Sequence, residues 1–411
     1  MNVGIYFGKK LPIPEEGGAS SFSQTIFEAL SKYSWAQNIS LYVFYESEDH
    51  LESYNSAVKF VSLKKFNEPK KLTFYKRIKI KLRKLLNSKT NQSDTEYKQS
   101  SLSLACDAYN IHLMWFPTPA FIKTDIPYFI TVWDLAHRKL SYFPEVSVSG
   151  TTFEAREQHY IQSLQKATLI IVGNKIGMEE VEFFYRIPRT RIAPIEFPVP
   201  AYCQSIQLEL PIAKSNLSFS QPYLFYPAQF WPHKNHIIII EAISKLKQQG
   251  LLFEAVFTGA DKGNLDYVKT YAEKLNVKDK IHFLGFVEQK KLIDLYQHAY
   301  ALIFASFFGP NNLPPLEAFS LECPVICANY DGAIEQLGDA ALYFSPYQVD
   351  ELIFQIIKLQ EPYIRMELIE KGKKIAQLRH SASYIKAIED MIINFEYIRK
   401  TWSMEKKYIH L

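Results

Sequence analysis

The sequence has few cysteines and no long apolar run, and both absences narrow the possible classes of protein. The four cysteines among 411 residues are scattered, with no CxxC pair, which argues against a zinc site or a disulfide scaffold and fits a reducing cytoplasm. No run of about eighteen apolar residues occurs, so length excludes a transmembrane helix. The apolar run at residues 3–7 is too short for a signal peptide and predicts a first β-strand.

Motifs of two enzyme classes are also missing. The sequence contains no GxSxG, which disfavours the nucleophile-elbow chemistry of many hydrolases. It contains no DxD pair and no histidine cluster at metal-ligand spacing. We therefore expect no bound metal.

Positive charge is concentrated in one segment, residues 64–89. The net charge is +4, yet this segment holds eleven lysines and arginines against the single acid Glu68, so the rest of the chain is acidic. Its apolar residues recur at spacings of three and four, as in an amphipathic helix. This pattern is typical of a helix on an anionic membrane surface, and a core-packed helix with a solvated basic face is the alternative. Nucleic acid is not an expected partner, because no aromatic-interleaved recognition motif accompanies the charge.

Length and periodicity predict two domains. A single core rarely organises more than roughly 250–300 residues. Short β-branched or aromatic runs alternate with helical patterns in both halves, and proline-rich residues 195–222 interrupt the alternation. We predict an α/β chain of two doubly wound, Rossmann-like domains facing each other across a cleft. The predicted domains are 1–205 and 206–381, followed by a helix in 382–411 that crosses back to the first.

The stretch FFGPNNLPPLEAFSLECPVI, residues 307–326, carries the strongest functional signal. Its loop leaves one predicted strand and enters a helix at Pro314 and Pro315, where proline is tolerated. The free N–H groups of a helix start can hold a phosphate. Glu317 is predicted in the first turn, where its carboxylate could accept hydrogen bonds from the two hydroxyls of a ribose. A helix-start charge at a sheet edge is the alternative interpretation.

This stretch resembles the family-4, or group 1, retaining glycosyltransferases, whose hallmark is a Glu, seven residues and a second Glu at this junction. Glu317 matches the second Glu, and Gly309 stands in place of the first. The sequence of the stretch is similar to that of the subset with a GPxNxPPLEA motif. The resemblance implies a GT-B fold in which Glu317 holds the nucleotide ribose. It also implies that Asn311, Asn312 and Leu313 present backbone amides to the diphosphate and sugar.

Further segments of the second half extend the resemblance. In residues 226–236, Lys234 matches a family lysine that neutralises the diphosphate, while Gln229 stands where an arginine is expected. The segments 257–264 and 281–287 resemble the part of the family's donor domain that approaches the base. The donor-binding residues implied in this way are Gln229, Lys234, Asn235, Gly259, Phe286, Val287, Gly309, Pro310, Asn311, Asn312, Leu313 and Glu317.

The first half of the chain supplies the residues expected to face the donor site across the cleft. Gly17, Gly18 and Ala19 precede a predicted helix, in the loop that lies opposite the donor diphosphate in the family; an ordinary turn is the alternative. Residues 131–145 resemble the family's HD-containing loop and place Asp134 and His137 at the cleft mouth, although His137 could be a structural loop histidine. The catalytic candidates are Asp134, His137, Lys234 and Glu317.

The resemblance implies transfer of a hexose-type sugar, with retention, from a UDP- or GDP-sugar to a saccharide or lipid-linked saccharide. Cell-surface polysaccharide such as lipopolysaccharide or capsule is the expected product, made in the cytoplasm or peripherally at the inner membrane face through residues 64–89. No cofactor beyond the sugar nucleotide is expected. Because Gln229 and Gly309 replace charged residues, a catalytically weak GT-B scaffold is an alternative, and a sugar-nucleotide epimerase is another.

Overall fold

The computed structural model describes residues 1–9, 18–46, 58–66, 100–147, 152–204 and 219–402. Within these ranges, the first half of the chain forms a parallel sheet in the order β3-β2-β1-β4-β5-β6-β7. Its strands are β1 (Asn2–Tyr6), β2 (Ser40–Tyr45), β3 (Val58–Ser62), β4 (Leu113–Phe116), β5 (Tyr128–Thr131), β6 (Leu169–Val172) and β7 (Ile192–Pro194). The helices of this half are α1 (Gly18–Lys32), α2 (Ser101–Ala108), α3 (Ala136–Lys139), α4 (Pro144–Ser147), α5 (Phe153–Leu164), α6 (Lys175–Tyr185) and α7 (Ala201–Gln204).

The strands of this sheet are apolar on both faces because helices cover both sides. Val3 and Trp115 pack into a core on one face, while Tyr6 and Met114 pack into a second core on the other. Such double burial explains why the strands are nearly continuous runs of apolar residues rather than alternating ones. The sheet thus holds its strand ends, and the loops that follow them, in fixed positions.

The second half forms a parallel sheet in the order β10-β9-β8-β11-β12-β13. Its strands are β8 (Tyr223–Pro227), β9 (Glu254–Thr258), β10 (Ile281–Phe283), β11 (Ala301–Phe304), β12 (Val325–Ala328) and β13 (Ala341–Phe344). Its helices are α8 (His236–Gln248), α9 (Leu265–Lys274), α10 (Gln289–Gln297), α11 (Leu313–Ser320), α12 (Ala333–Leu337), α13 (Val349–Lys358) and α14 (Pro362–Leu378), and α15 (Ser381–Arg399) follows. The two sheets confirm the predicted α/β architecture of two doubly wound domains.

Helix α15 packs against the first domain. Ile385 and Ile388 are fully buried in the same core as Val3, and the Glu389 carboxylate accepts hydrogen bonds from the Tyr33 hydroxyl and the Ala36 N–H. The boundary predicted between residues 205 and 206 lies outside the described residues, so the division of the chain into domains stays a prediction. Residues 67–89 of the basic segment also lie outside them, and residues 64–66 are in a short 3₁₀ turn.

The two domains meet through direct contacts at the ends of their sheets. The Asn174 side-chain amide donates to the Pro310 carbonyl at 2.6 Å. Across the same boundary, the Glu335 carboxylate accepts from the backbone N–H groups of Lys175 and Ile176 at 2.7 and 3.1 Å. These two N–H groups begin α6, so a carboxylate from the second domain caps a helix of the first.

Candidate functional site

A cavity of about 870 Å³, here called the larger cavity, lies between the domains. Its walls are loops that follow the carboxyl ends of β5, β8, β9 and β11, together with the start of α1. The predicted site residues that line it are Asp134, Gln229, Lys234, Gly259, Phe286, Val287, Gly309, Pro310, Asn311, Asn312, Leu313 and Glu317. Residues separated by almost two hundred positions in the sequence are thus brought together, although their roles remain predictions.

Four further residues were predicted for the site: Asn235, Gly17, Gly18 and Ala19. Asn235 adopts a left-handed conformation before α8, and its side chain donates to the Pro346 carbonyl at 2.9 Å instead of lining the cavity. Gly17 lies outside the described residues. Gly18 and Ala19 begin α1, which places them at the start of a helix whose Ser21 and Phe22 line the cavity.

The expectation that His137 is exposed at the cleft mouth is wrong. Its side chain is fully buried beside α5, where its ring stacks on Tyr160. Its Nε2 atom lies 3.2 Å from both the Glu157 carboxylate and the Tyr185 hydroxyl. Burial lowers the pKa of His137 to about 4, so the ring is neutral at pH 7 and its Nε2–H can donate to the carboxylate. His137 therefore stabilises the packing of its loop and does not face the cavity.

Glu317 lines the cavity, but it lies just beyond the first helical turn, in which it was predicted. Helix α11 begins at Leu313, so Glu317 is its fifth residue and lies beyond the first turn. The side chain is buried, and the Tyr296 hydroxyl donates to its Oε2 at 2.6 Å. Burial raises the pKa of Glu317, while the hydroxyls of Tyr296 and Tyr202 act in the opposite direction by stabilising the carboxylate. The carboxylate is therefore held at the wall of the cavity by two tyrosines.

The loop before α11 differs from the prediction at one amide. The backbone N–H of Asn312 donates to the Gln336 side chain at 3.1 Å, and Gln336 donates back to the Asn312 carbonyl at 2.8 Å. This N–H is therefore already engaged and does not point to a ligand, contrary to the prediction. The Asn311 side chain has no hydrogen-bond partner within the described ranges, although both of its polar atoms are shielded from solvent. Since buried polar groups are normally paired, Asn311 is the better candidate for a ligand contact.

Two cationic side chains line the larger cavity from opposite domains: Lys234 and Arg156. Burial lowers the pKa of Lys234 to about 8, although Asp134 and Glu145 raise it. The Arg156 guanidinium, on α5, donates to Asp134 Oδ1 at 2.6 Å. Burial raises the pKa of Asp134, but Arg156 and the Ala136 N–H outweigh it and hold the pKa below its ordinary value. Asp134 is therefore a carboxylate at neutral pH, held within the field of both cations.

Three residues of the larger cavity were not predicted from the sequence: Arg156, Glu145 and His233. Glu145 of the first domain accepts a hydrogen bond from the His233 backbone N–H at 3.1 Å and also contacts the His233 ring. Burial lowers the pKa of His233 to about 4, so a neutral ring donates to the ionised Glu145. All three line the cavity. The available signal was weak. His233 adjoins Lys234 and Glu145 ends the segment 131–145, but neither was assigned a role, and Arg156 belongs to no motif.

A second cavity of about 550 Å³, here called the smaller cavity, adjoins the first. The two share Asp134, Phe308, Gly309 and Pro310 in their walls. Gly309 has a φ of +131°, and a Cβ atom there would lie 2.5 Å from the Asn312 side chain. At Gly309 the wall shared by the two cavities is therefore backbone without a side chain.

Two other kinds of feature are absent from the described ranges. No group of three or more histidine, cysteine, aspartate or glutamate side chains there is arranged to hold a metal ion. Among the helices of that same part of the chain, none is long and apolar enough to cross a bilayer.

The sequence and the structure were compared with known proteins. The sequence profile of the family described as "Glycosyl transferases group 1" matches residues 211–375. The second half of this chain contains a glycosyl transferases group 1 domain. This domain includes Lys234, Glu317 and the loop between the two cavities. A curated relative, O-antigen chain mannosyltransferase B of Escherichia coli, is 26% identical over 211 residues, which are 49% of this chain and 54% of that protein. The chain thus spans about half the length of this relative.

Solved structures extend the likeness over both domains. Sucrose-phosphate synthase from Thermosynechococcus elongatus superposes with a TM-score of 0.67 at 15% identity, over 97% of this chain and 99% of that one. The Anabaena protein HepE in complex with UDP and glucose superposes with a TM-score of 0.64 at 15% identity, over 96% and 100% of the two chains. At such identities the likeness concerns the fold. The group 1 domain and the domain before it together have the GT-B fold.

Proposed function

We propose that this protein is a glycosyltransferase that moves a hexose-type sugar, with retention, from a nucleoside diphosphate sugar to a saccharide or lipid-linked saccharide. The observation that carries the proposal is the larger cavity, which combines two cations from opposite domains with the buried carboxylate of Glu317 inside a group 1 domain. The mannosyltransferase name of the relative and the UDP bound to HepE support the substrate class. Assembly of O-antigen or another lipopolysaccharide part is the process that we infer.

The cavity offers a complementary group for each part of such a donor. Lys234 and Arg156 can neutralise a diphosphate, whose negative charge grows as the glycosidic bond breaks. The Glu317 carboxylate can accept hydrogen bonds from the two ribose hydroxyls. Asp134 is ionised and paired with Arg156, so we assign it an electrostatic role at the sugar. The departing phosphate is then the group that accepts the proton of the acceptor hydroxyl.

Binding of nucleotides is the first test. UDP, GDP, ADP and their sugars are screened by thermal shift, because a ligand that binds the native state raises its melting temperature. We expect UDP or GDP to stabilise the protein and Lys234→Met to weaken that nucleotide roughly 10–100-fold, since a hydrogen bond to a charged group contributes about 1.5–3 kcal/mol. Lys274→Met, an exposed lysine at the end of α9, is the matched control and should bind normally. If no nucleoside diphosphate binds, the scaffold alternative replaces the proposal.

The role of Arg156 is tested by moving its charge. Arg156→Gln should weaken nucleoside diphosphate binding to about the same extent as Lys234→Met. Gln229 lines the same cavity, so adding Gln229→Arg should restore much of the affinity by placing a cation beside the phosphates again. Unchanged affinity in the single variant would remove Arg156 from the site.

Transfer itself distinguishes the remaining alternatives. Wild-type protein given the stabilising sugar nucleotide should form product only when an acceptor saccharide is present, and the anomeric configuration of the product should match that of the donor. A new sugar nucleotide formed without an acceptor would indicate an epimerase. Co-sedimentation with anionic liposomes at low salt tests the proposed membrane association, and reversing the charges of Lys76, Lys79, Lys81 and Lys84 should abolish it.

A further inference from the structure

We propose that the smaller cavity is the acceptor site and that it takes an uncharged terminal sugar. This inference rests on the proposed function and names the chemistry of its second substrate. Its volume of about 550 Å³ lies within the roughly 300–1,000 Å³ of small-molecule sites. The wall that it shares with the larger cavity contains Asp134 and the bare backbone of Gly309. A sugar at the end of a diphosphate in the larger cavity would therefore meet an acceptor at that wall.

The balance of charge differs between the two cavities, and this difference assigns their ligands. The described lining of the larger cavity has two cations, Lys234 and Arg156, against the acids Asp134, Glu145 and Glu317. Within the described part of its lining, the smaller cavity has the acidic side chains of Asp134, Glu180, Asp331 and Glu351 and one basic side chain, Lys139. The Lys139 ammonium is already paired, at 3.0 Å from Glu180 and 2.5 Å from Asp331. A phosphorylated ligand would meet an excess of carboxylates over cations there. The anionic donor consequently belongs in the larger cavity, and a neutral molecule belongs in the smaller one.

The surface of the smaller cavity suits a pyranose. Phe307 and Tyr347 form an aromatic pair with ring centroids 5.2 Å apart, and Tyr347 is 71% exposed. The apolar C–H face of a sugar ring can pack against such an exposed ring, which removes apolar surface from water. Glu351 and Asp331 are exposed carboxylates that can accept hydrogen bonds from sugar hydroxyls. Aromatic rings and carboxylate acceptors together suit the apolar C–H face and the hydroxyls of a neutral saccharide.

The experiment measures saccharide binding to the nucleotide-loaded protein. A panel of p-nitrophenyl glycosides of mannose, glucose, galactose, N-acetylglucosamine and rhamnose is tested by saturation-transfer NMR, together with mannose 6-phosphate and glucose 6-phosphate. We expect at least one neutral glycoside to bind and the sugar phosphates to bind at least tenfold more weakly. Tyr347→Ala should weaken the bound glycoside at least tenfold, whereas Tyr347→Phe keeps the ring and should stay within about twofold.

Matched measurements separate this inference from the proposed function. Tyr363→Ala removes an equally exposed tyrosine on α14 that lines neither cavity, and it should leave glycoside binding unchanged. Nucleoside diphosphate affinity should be normal in all three tyrosine variants. If nucleotide binds but no glycoside of the panel does, if Tyr347→Ala binds normally, or if a sugar phosphate binds more tightly, the acceptor assignment is wrong. Failure of the wild-type protein to bind any nucleotide would instead overturn the proposed function.

Discussion

The Asn174 side chain both caps a helix and makes a hydrogen bond to the other domain. Two different substitutions of Asn174 should separate these two roles. Asn174 is the N-cap of α6, where its Oδ1 accepts from the Gly177 N–H at 2.9 Å. Its Nδ2 donates across the domain boundary to the Pro310 carbonyl at 2.6 Å, and the side chain is buried. Pro310 belongs to the loop between the two cavities, so the stability of the protein and its affinity for nucleotide should both depend on Asn174.

The magnitude follows from the two hydrogen bonds. Asn174→Ala removes a cap worth about 1 kcal/mol and leaves a buried carbonyl without its donor, which costs about 1–3 kcal/mol, so we expect a loss of about 2–4 kcal/mol. Asn174→Ser can retain the cap but is too short to reach Pro310, so it should lose about 1–3 kcal/mol. Asn264→Ala is the matched control, because Asn264 is also a helix N-cap but its side chain makes no capping hydrogen bond.

Urea unfolding and isothermal titration with UDP or GDP measure the two effects. Both Asn174 variants should bind nucleotide more weakly than wild type, and Asn174→Ala should be the less stable of the two. The reasoning would be refuted by an Asn174→Ser protein that matches wild type in stability and in nucleotide affinity. Equal losses in Asn174→Ala and Asn264→Ala would show that neither the cap nor the cross-domain hydrogen bond of Asn174 contributes to stability.

Three further predictions concern the larger cavity. Because burial lowers the pKa of Lys234 to about 8, its cation is present at pH 7 and is lost as pH rises. Nucleoside diphosphate affinity, measured by calorimetry, should therefore fall between about pH 7 and pH 9. A constant affinity would contradict this prediction. Gly259→Ala should lower the melting temperature more than Gly250→Ala, since a Cβ at Gly259 would lie 2.6 Å from a backbone carbonyl and one at Gly250 meets nothing within 4 Å. Tyr296→Phe removes the donor 2.6 Å from Glu317 and should cost about 1.5–3 kcal/mol of unfolding free energy at pH 7. This substitution raises the pKa of Glu317 further above its ordinary value. The deficit should therefore shrink as pH falls through the raised pKa values of Glu317 in the two folded proteins, and it should be gone at the ordinary glutamate pKa, because Glu317 is by then protonated in both folded proteins.

The pattern of apolar and polar residues along the chain was sufficient to predict the α/β architecture. Apolar runs alternating with amphipathic segments require strands covered by helices on both faces, and this constraint is repeated in each half. The junction at residues 307–317 could also be interpreted locally, because proline at a helix start and a carboxylate in the helix depend on nearby residues. The likeness of this junction and of Lys234 to a known family then pointed to the donor class.

The positions of other groups depended on how distant segments pack. Arg156 belongs to no motif, and Glu145 only ends the segment 131–145. Both enter the larger cavity because the first domain places them opposite Lys234. His137 looked available beside Asp134, yet its short helix turns its ring toward α5 and buries it. The Asn312 amide is engaged by Gln336, which is twenty-four residues away in sequence.

The smaller cavity is the clearest case of a feature decided by tertiary structure. Its wall joins residues that follow β5 of one sheet and β11, β12 and β13 of the other. Local sequence specifies which backbone conformations and apolar faces are favourable, because those depend on neighbours along the chain. Which charges face each other across a cleft is set by the packing of two domains. The placement of two cations in one cavity, and of four acids around a single lysine in the other, therefore became visible only in the folded protein.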